Sequence, residues 1–227
     1  MEWTPILISL KTACVAMIFT LFLGLAAAKR VAFMKSGLAK SVIDGIFTLP
    51  LVLPPTVAGF LLLYIFGVYR PVGRFLAEYL GVKVVFSWSA TVIAAVLISF
   101  PLMYRAALGA FEQVDPALAD AARMQGVSEW KIFTRILIPN ASSGIISGAV
   151  LAFARGLGEF GATAMVAGNI AGKTQTLPLA IYSEVAAGNM EKAGIYVLIL
   201  MVVSFAVVVV INVFGRRKEI QRKRKDR

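Results

Sequence analysis

Long apolar blocks alternate with short charged ones along the chain. Five blocks stand out: Ile6–Ala28, Ile43–Gly67, Trp88–Phe111, Ala141–Ala167 and Gly194–Phe214. Each has the length of about 20 residues that a helix needs to cross the hydrocarbon of a bilayer. The pattern predicts five membrane-spanning helices. The first block ends in Ala26-Ala27-Ala28, which resembles a signal-peptide cleavage site. Its flank Met1-Glu2-Trp3 carries no positive charge and the apolar run is too long, so it is read as a span. Between the blocks, Val68–Ser87 holds a short amphipathic stretch, with Phe75, Leu76, Tyr79 and Leu80 against Arg74 and Glu78. Gly168–Lys192 is polar but contains Leu177-Pro178-Leu179-Ala180-Ile181-Tyr182. It fits either a cap dipping toward a pathway or a plain solvated loop. No repeat or linker divides the chain. The expectation is one membrane domain over residues 1–215, followed by a basic tail at 216–227.

Composition narrows the class. Hydrophobic residues make up 59% and charged residues 15%, which excludes disorder, a disulfide scaffold and an ordinary soluble enzyme. Histidine is absent, and the single Cys14 lies within an apolar run. No Ser-His or Cys-His pair is available, and no catalytic residue, cofactor or metal site is expected. The net charge is +11, with eight of the 23 basic residues in the last twelve positions. Directly after an apolar run, such a tail reads as a cytoplasmic anchor facing anionic lipid and not as a nucleic-acid arm. Lys29, Arg30, Lys35, Lys40, Arg105, Arg123, Lys131, Arg135 and the tail fall on one side. Arg70, Arg74, Lys83, Lys173 and Lys192 fall on the other. The richer side is cytoplasmic, which places the N-terminus outside and the C-terminus inside.

One cytoplasmic loop has its own pattern. Asp115 is a good helix N-cap and Pro116 a good first residue. Leu118, Ala121, Ala122 and Met124 form an apolar side, and Gly126 suits a left-handed helix end. Ser128 caps a second helix striped with Trp130, Ile132, Phe133, Ile136 and Leu137, which Pro139 is expected to break. The small residues Ala119, Ala121 and Ala122 beside charges suit close approach by a partner; an amphipathic helix lying on lipid is the alternative.

Asp120-Ala121-Ala122, then Gly126, then Ile136-Leu137-Ile138-Pro139 resembles the Glu-Ala-Ala loop motif of ABC importer permeases, with Asp120 for Glu and Ile138 for Leu as departures. Leu49–Gly59 resembles the second span of molybdate permeases. Arg155-Gly156-Leu157-Gly158-Glu159-Phe160-Gly161-Ala162-Thr163 with Gly168-Asn169 resembles the molybdate/sulfate group, and Thr174–Tyr182 is most similar to its molybdate branch. The resemblance covers most of residues 49–182. It implies an all-α, type I importer permease bundle (MetI-like) in the cell membrane. It also implies a homodimer around a central pore, since five helices are few to enclose a gated path. A separate ATP-binding subunit would contact Asp120, Ala121, Ala122 and Gly126, with Ile136 and Pro139 completing the motif. An extracytoplasmic binding protein would deliver molybdate.

The membrane motifs supply pathway candidates. Pro54 and Pro55, with Pro50, would interrupt a span, and a broken helix must face protein or water. Thr56, Thr163 and Asn169 offer hydrogen bonds to a tetrahedral oxyanion. Arg155 and Glu159, four apart, are either an anion guide or a structural ion pair. Gly144-x-x-x-Gly148 with Gly156, Gly158 and Gly161 reads as close helix packing. Gly172-Lys173-Thr174 lacks the earlier glycine of a phosphate loop, because Ala167 stands there. Three rivals are a sulfate or tungstate permease, a proton-coupled transporter using Glu159, and a membrane scaffold without flux.

Overall fold

The computed structural model describes residues 2–225, with side chains described to residue 209; the charged side chains of the tail at 216–227 lie outside the described residues. Every regular element among the described residues is helical. The first long helix, α1, is Thr4–Ala32, started by Pro5 and closed with Lys29 and Arg30 in its last turn, where cations suit the helix dipole. The second block is two helices, α2 (Leu38–Val52) and α3 (Pro55–Phe66). They meet at an angle of 111° across Leu53-Pro54. A short amphipathic helix, α4 (Pro71–Tyr79), precedes the long α5 (Trp88–Glu112). The loop pair follows as α6 (Pro116–Met124), α7 (Glu129–Ile132), a π-helical stretch Phe133–Leu137 and α8 (Ile138–Asn140). Then come α9 (Ser142–Leu157), α10 (Gly161–Ala167), α11 (Leu177–Ala186) and α12 (Met190–Lys225).

Three of these helices are long and apolar enough to cross a membrane alone, and the bent pairs bring the number to five. Blocks one, three and five are therefore continuous as expected. Blocks two and four are not. Proline at 54 has no N–H and restricts Leu53 to an extended conformation, so the helix stops at Val52. Pro50 is accommodated inside α2. Block four breaks at Gly158–Phe160, where glycine weakens the helix, and Glu159 lies beyond the end of α9 rather than on its face. Pro139 does not break its helix; it sits in α8, and the 76° bend falls at Ala141. The widened turn Phe133–Leu137 lies just upstream, where an α-helical proline would clash with the preceding carbonyls.

Packing centres on α1, α5 and α9. Their buried faces carry Ala28, Val31, Met103, Tyr104, Ala107, Ile145 and Ala152. Small residues let the backbones approach, as between membrane helices generally. A Cβ on Gly24 would lie 2.7 Å from Met103 Cγ, and one on Gly144 would lie 2.6 Å from Ala110 Cβ. Hydroxyls stitch the same seam: Thr12 to Thr91 at 3.0 Å and Thr20 to Ser99 at 3.1 Å. The outward faces are apolar, with Phe19, Phe22 and Leu23 on α1 and Leu198, Met201 and Phe205 on α12 exposed. Such faces suit lipid.

The Gly168–Lys192 segment is not a plain solvated loop. Leu177, Leu179 and Ala180 are buried, and Leu177 and Ala180 pack with Ile6 and Tyr196. Ser9 Oγ accepts a hydrogen bond from Leu177 N at 2.6 Å.

The crossing of α3 and α10 brings backbone against a glycine. A Cβ on Gly59 would lie 2.7 Å from the Ala162 Cα and 2.8 Å from its carbonyl oxygen. Gly59→Val is expected to cost about 1–3 kcal/mol by displacing backbone. Gly194→Ala, facing open space, should be neutral or slightly stabilising. Thermal unfolding of the two variants in one detergent measures the difference.

Candidate functional site

Two regions collect the residues singled out by sequence. The first is the loop α6–α8. Asp115 Oδ1 accepts from Ala117 N at 2.9 Å and caps α6. At the other end Gly126 is left-handed, with φ 74°. Gly126 N donates to Arg123 O at 2.9 Å and Val127 N to Ala122 O at 3.1 Å. That pairing satisfies carbonyls at the helix end and turns the chain. Ser128 stands at the start of α7 without a side-chain cap.

The face of α6 differs from the expected one. Ala119 and Ala122 are buried against Ile132, Phe133 and Leu137, in one cluster with Met103 and Tyr104. Leu118, Asp120, Ala121 and Met124 are exposed. Helical spacing explains it: 119 and 122 are three apart and share a side, from which 120, 121 and 124 are turned away. Ala122 therefore holds the loop to the bundle, and Ala121 is the outward alanine. Ile136 is half-buried, Pro139 is exposed, and Trp130 projects outward. Lys29 at the end of α1 lies 4.2 Å from the Phe133 ring centre and 5.3 Å from that of Trp130. Arg123 binds Asp120 at 2.7 Å and Glu129 at 2.6 Å, joining α6 to α7. These bonds hold the Glu129 carboxyl below its ordinary value and raise the Arg123 guanidinium.

The second region is where the two broken blocks meet. A Cβ on Gly161 would lie 3.0 Å from Pro55 Cβ and 3.3 Å from Thr56 N. The break after α2 thus touches the break after α9. Glu159 is buried there. Its Oε1 accepts from Ala162 N at 2.8 Å, capping α10. Its Oε2 lies 2.8 Å from Arg155 Nη1, with no N–H aligned along the contact, so this is an ion pair without a hydrogen bond. Pro54 and Thr56 are exposed, Pro55 and Arg155 half-exposed, and Thr163 fully buried. Asn169 is elsewhere, at the outer end, donating to Ser183 Oγ at 2.6 Å. The structure joins Pro54, Pro55, Thr56, Arg155 and Glu159, and leaves Asn169 apart.

From this junction, Ser143, Ser147, Leu151, Ala154 and Gly158 share one accessible face of α9. The stripe runs to a cavity of about 640 Å³ between α5, α6 and α9, lined by Arg105, Gln113, Asp115, Asn140, Ser143 and Ser147 among others. Arg105 pairs with Asp44 of α2 at 3.3 Å, and Tyr104 donates to Asp44 at 2.8 Å. Sequence reading missed Asp44. The available signal was an acid in one apolar block and an arginine in another. Among the described residues, no group of three or more Asp, Glu, His or Cys is placed to hold a metal.

Residues 20–220 match the family model described as binding-protein-dependent transport system inner membrane component. The chain belongs to that family. It is 44% identical to the molybdenum transport system permease protein ModB of Escherichia coli (strain K12), covering 80% of this chain and 79% of that one. It is 41% identical to ModB of Haemophilus influenzae, covering 85% and 83%. The fold resembles a chain of the MetNI methionine ABC transporter, with TM-score 0.73 at 16% identity over 94% of both chains. The protein is thus a multi-pass inner-membrane permease subunit of an ABC importer.

Two outcomes follow for the loop. Gly126→Val should strain the left-handed position by about 1–2 kcal/mol and loosen α6, whereas Gly126→Asn should retain it. Hydrogen exchange across α6 separates them. Glu129 is depressed, so its stabilisation is complete above the ordinary glutamate range and is lost as pH falls through the lower folded value. Exchange protection of α6–α7, referred to the intrinsic rate at each pH, should hold from neutral pH down to the ordinary glutamate range and fall only below it. Glu129→Gln should remove that acid transition.

Proposed function

We propose that this permease imports molybdate, working as a homodimer with a separate ATP-binding subunit and an extracytoplasmic binding protein. The observation that carries the substrate is the agreement over most of the chain with permeases named for molybdenum transport. Sulfate and tungstate share the charge and tetrahedral shape of molybdate, and either remains the competing cargo. A proton-coupled mechanism through Glu159 is disfavoured, because its carboxylate is committed to Ala162 N and Arg155.

The loop α6–α8 lies on the side richer in Lys and Arg, the cytoplasmic side. Its exposed Leu118, Asp120, Ala121 and Met124 form the surface for the ATP-binding subunit. Ala121 admits close approach, and the buried Ala119 and Ala122 pass displacement into the bundle. Closure of the ATPase pair then moves both loops and reopens the pore toward the outside. Pro54, Pro55, Thr56 and Arg155 border that pore at the junction of the breaks, Glu159 fixes Arg155, and Thr163 supports the wall. Asn169 belongs to the outer rim. The membrane domain extends over 1–215, with the basic tail at 216–227 on anionic lipid.

Proteoliposomes holding this chain, its ATPase and its binding protein test the reading. ATP-dependent molybdate uptake is expected, and Ala121→Arg should lower it by about tenfold or more while leaving the dimer intact. Uptake of sulfate in preference to molybdate would change the cargo. Uptake without ATP would overturn the mechanism.

A further inference from the structure

The cavity at the inner end of α9 has features that the packing of the bundle does not require. Part of its wall is small: Ala106, Gly109, Ala110 and Gly144. Arg105 and the hydroxyl-bearing Ser143 and Ser147 also line it, with Ser147 Oγ donating to the Ser143 carbonyl oxygen at 3.0 Å. Arg105 and Gln113 are eight residues apart, so the cavity extends about 12 Å along α5. Gly144 meets Ala110, and Gly148 meets Ala106. Arg105 and Ser147 therefore lie at one end. Gln113, Asn140 and Asp115 lie at the other, where the Asp115 carboxylate is engaged by Ala117 N. A volume of about 640 Å³ is in the range of small-molecule sites and holds a tetrahedral dianion with part of its water.

Arg105 is half-exposed, and its contact with Asp44 at 3.3 Å is the longest ion pair among the described residues. Asp44 does not depend on it. Tyr104 donates to the other Asp44 oxygen at 2.8 Å, and that bond survives if Arg105 swings away. The other residues that line the cavity are neutral except Asp115 at its far end. Lys40 and Glu112, nearby on α2 and α5, pair with each other at 3.2 Å.

We propose that Arg105 is an exit waypoint for the transported oxyanion, with Asp44 as the anion it exchanges. With the cavity empty, Asp44 holds the guanidinium in place. An arriving dianion takes the guanidinium and the Ser143 hydroxyl, and the Ser147 hydroxyl on turning away from the Ser143 carbonyl it bonds at 3.0 Å, while Asp44 stays hydrogen-bonded to Tyr104. Return of Asp44 to Arg105 then competes the cargo off toward the cytoplasm. Binding is weak by construction, as passage requires. The exchange also releases one of the contacts that join α2 to α5, leaving Tyr104–Asp44, Lys40–Glu112 and the packing of Phe47 on Phe100 and Tyr104. The proposal rests on the reading of the cargo as an oxyanion.

The test uses the purified permease–ATPase complex without nucleotide or binding protein, titrated with radiolabelled molybdate. Weak saturable binding is expected. Arg105→Gln should weaken it by about tenfold or more, the worth of a charge-assisted contact. Asp44→Asn should tighten it several-fold by removing the competitor, and should slow ATP-driven release into vesicles. Absence of binding by the unaltered complex overturns the waypoint. So does a pair of variants that both bind as the unaltered complex does, or an Asp44→Asn that weakens binding in a complex of normal dimeric size. Uptake by the unaltered complex with its binding protein is measured in parallel. If that complex transports molybdate, the proposed function stands whatever the waypoint result. If it transports no oxyanion, the cargo reading itself has failed.

Discussion

Peptide groups in hydrocarbon have no water to bond, and this requirement governs how two of the five blocks can be interrupted at all. The interruption after α2 is tolerable because Val57 N and Ala58 N return to Pro54 O at 2.9 and 3.2 Å. The interruption after α9 is tolerable because the Glu159 carboxylate receives Ala162 N, and Arg155 offsets its charge. Each break is then shielded by the other. Gly59 and Gly161 permit this contact, since neither position has room for a Cβ without displacement. A charged pair within the membrane domain thus has a structural origin, and its functional reach depends on the half-exposed Arg155, not on the buried Glu159.

The cytoplasmic loop shows a similar division. One side of α6 is fastened inside by Ala119 and Ala122, and the opposite side is held ready by Arg123, which spans Asp120 and Glu129. The exposed ion pairs contribute little to overall stability, as surface pairs generally do. Their use is geometric: they fix the angle between α6 and α7. The aromatic face of α7 and the π-helical stretch meets Lys29, so the end of α1 and the loop form one surface.

Legibility from sequence followed the physics of each feature. Continuous helices in blocks one, three and five were readable because length and hydropathy alone determine them. The caps at Asp115 and Gly126 were readable because each residue type has a local conformational reason to be there. The break at Pro54 was foreseeable for the same reason. The break at Gly158–Phe160 was not, because glycines in a membrane helix equally well signal packing. The face of α6 was misjudged, since alanine gives no polarity by which to tell inside from outside. Asp44 escaped notice because its meaning lies in Arg105, 61 positions away along the chain and adjacent only after folding.

The tight seam among α1, α5 and α9 has a mechanical consequence. Gly24 against Met103, Gly144 against Ala110 and Gly148 against Ala106 leave no clearance for one helix to slide along another. The three behave as a stator with almost no internal compliance. Ala119 and Ala122 pack into the same cluster, so a displacement of the loop would reach that stator directly and tilt it as one block. Relative motion is confined to the parts that the seam does not include. One of these is α2, an arm that ends at Leu53-Pro54 and meets the block mainly through α5. The stroke length is then a matter of leverage, set by the distance from loop to pivot, and not of how far any single helix can deform.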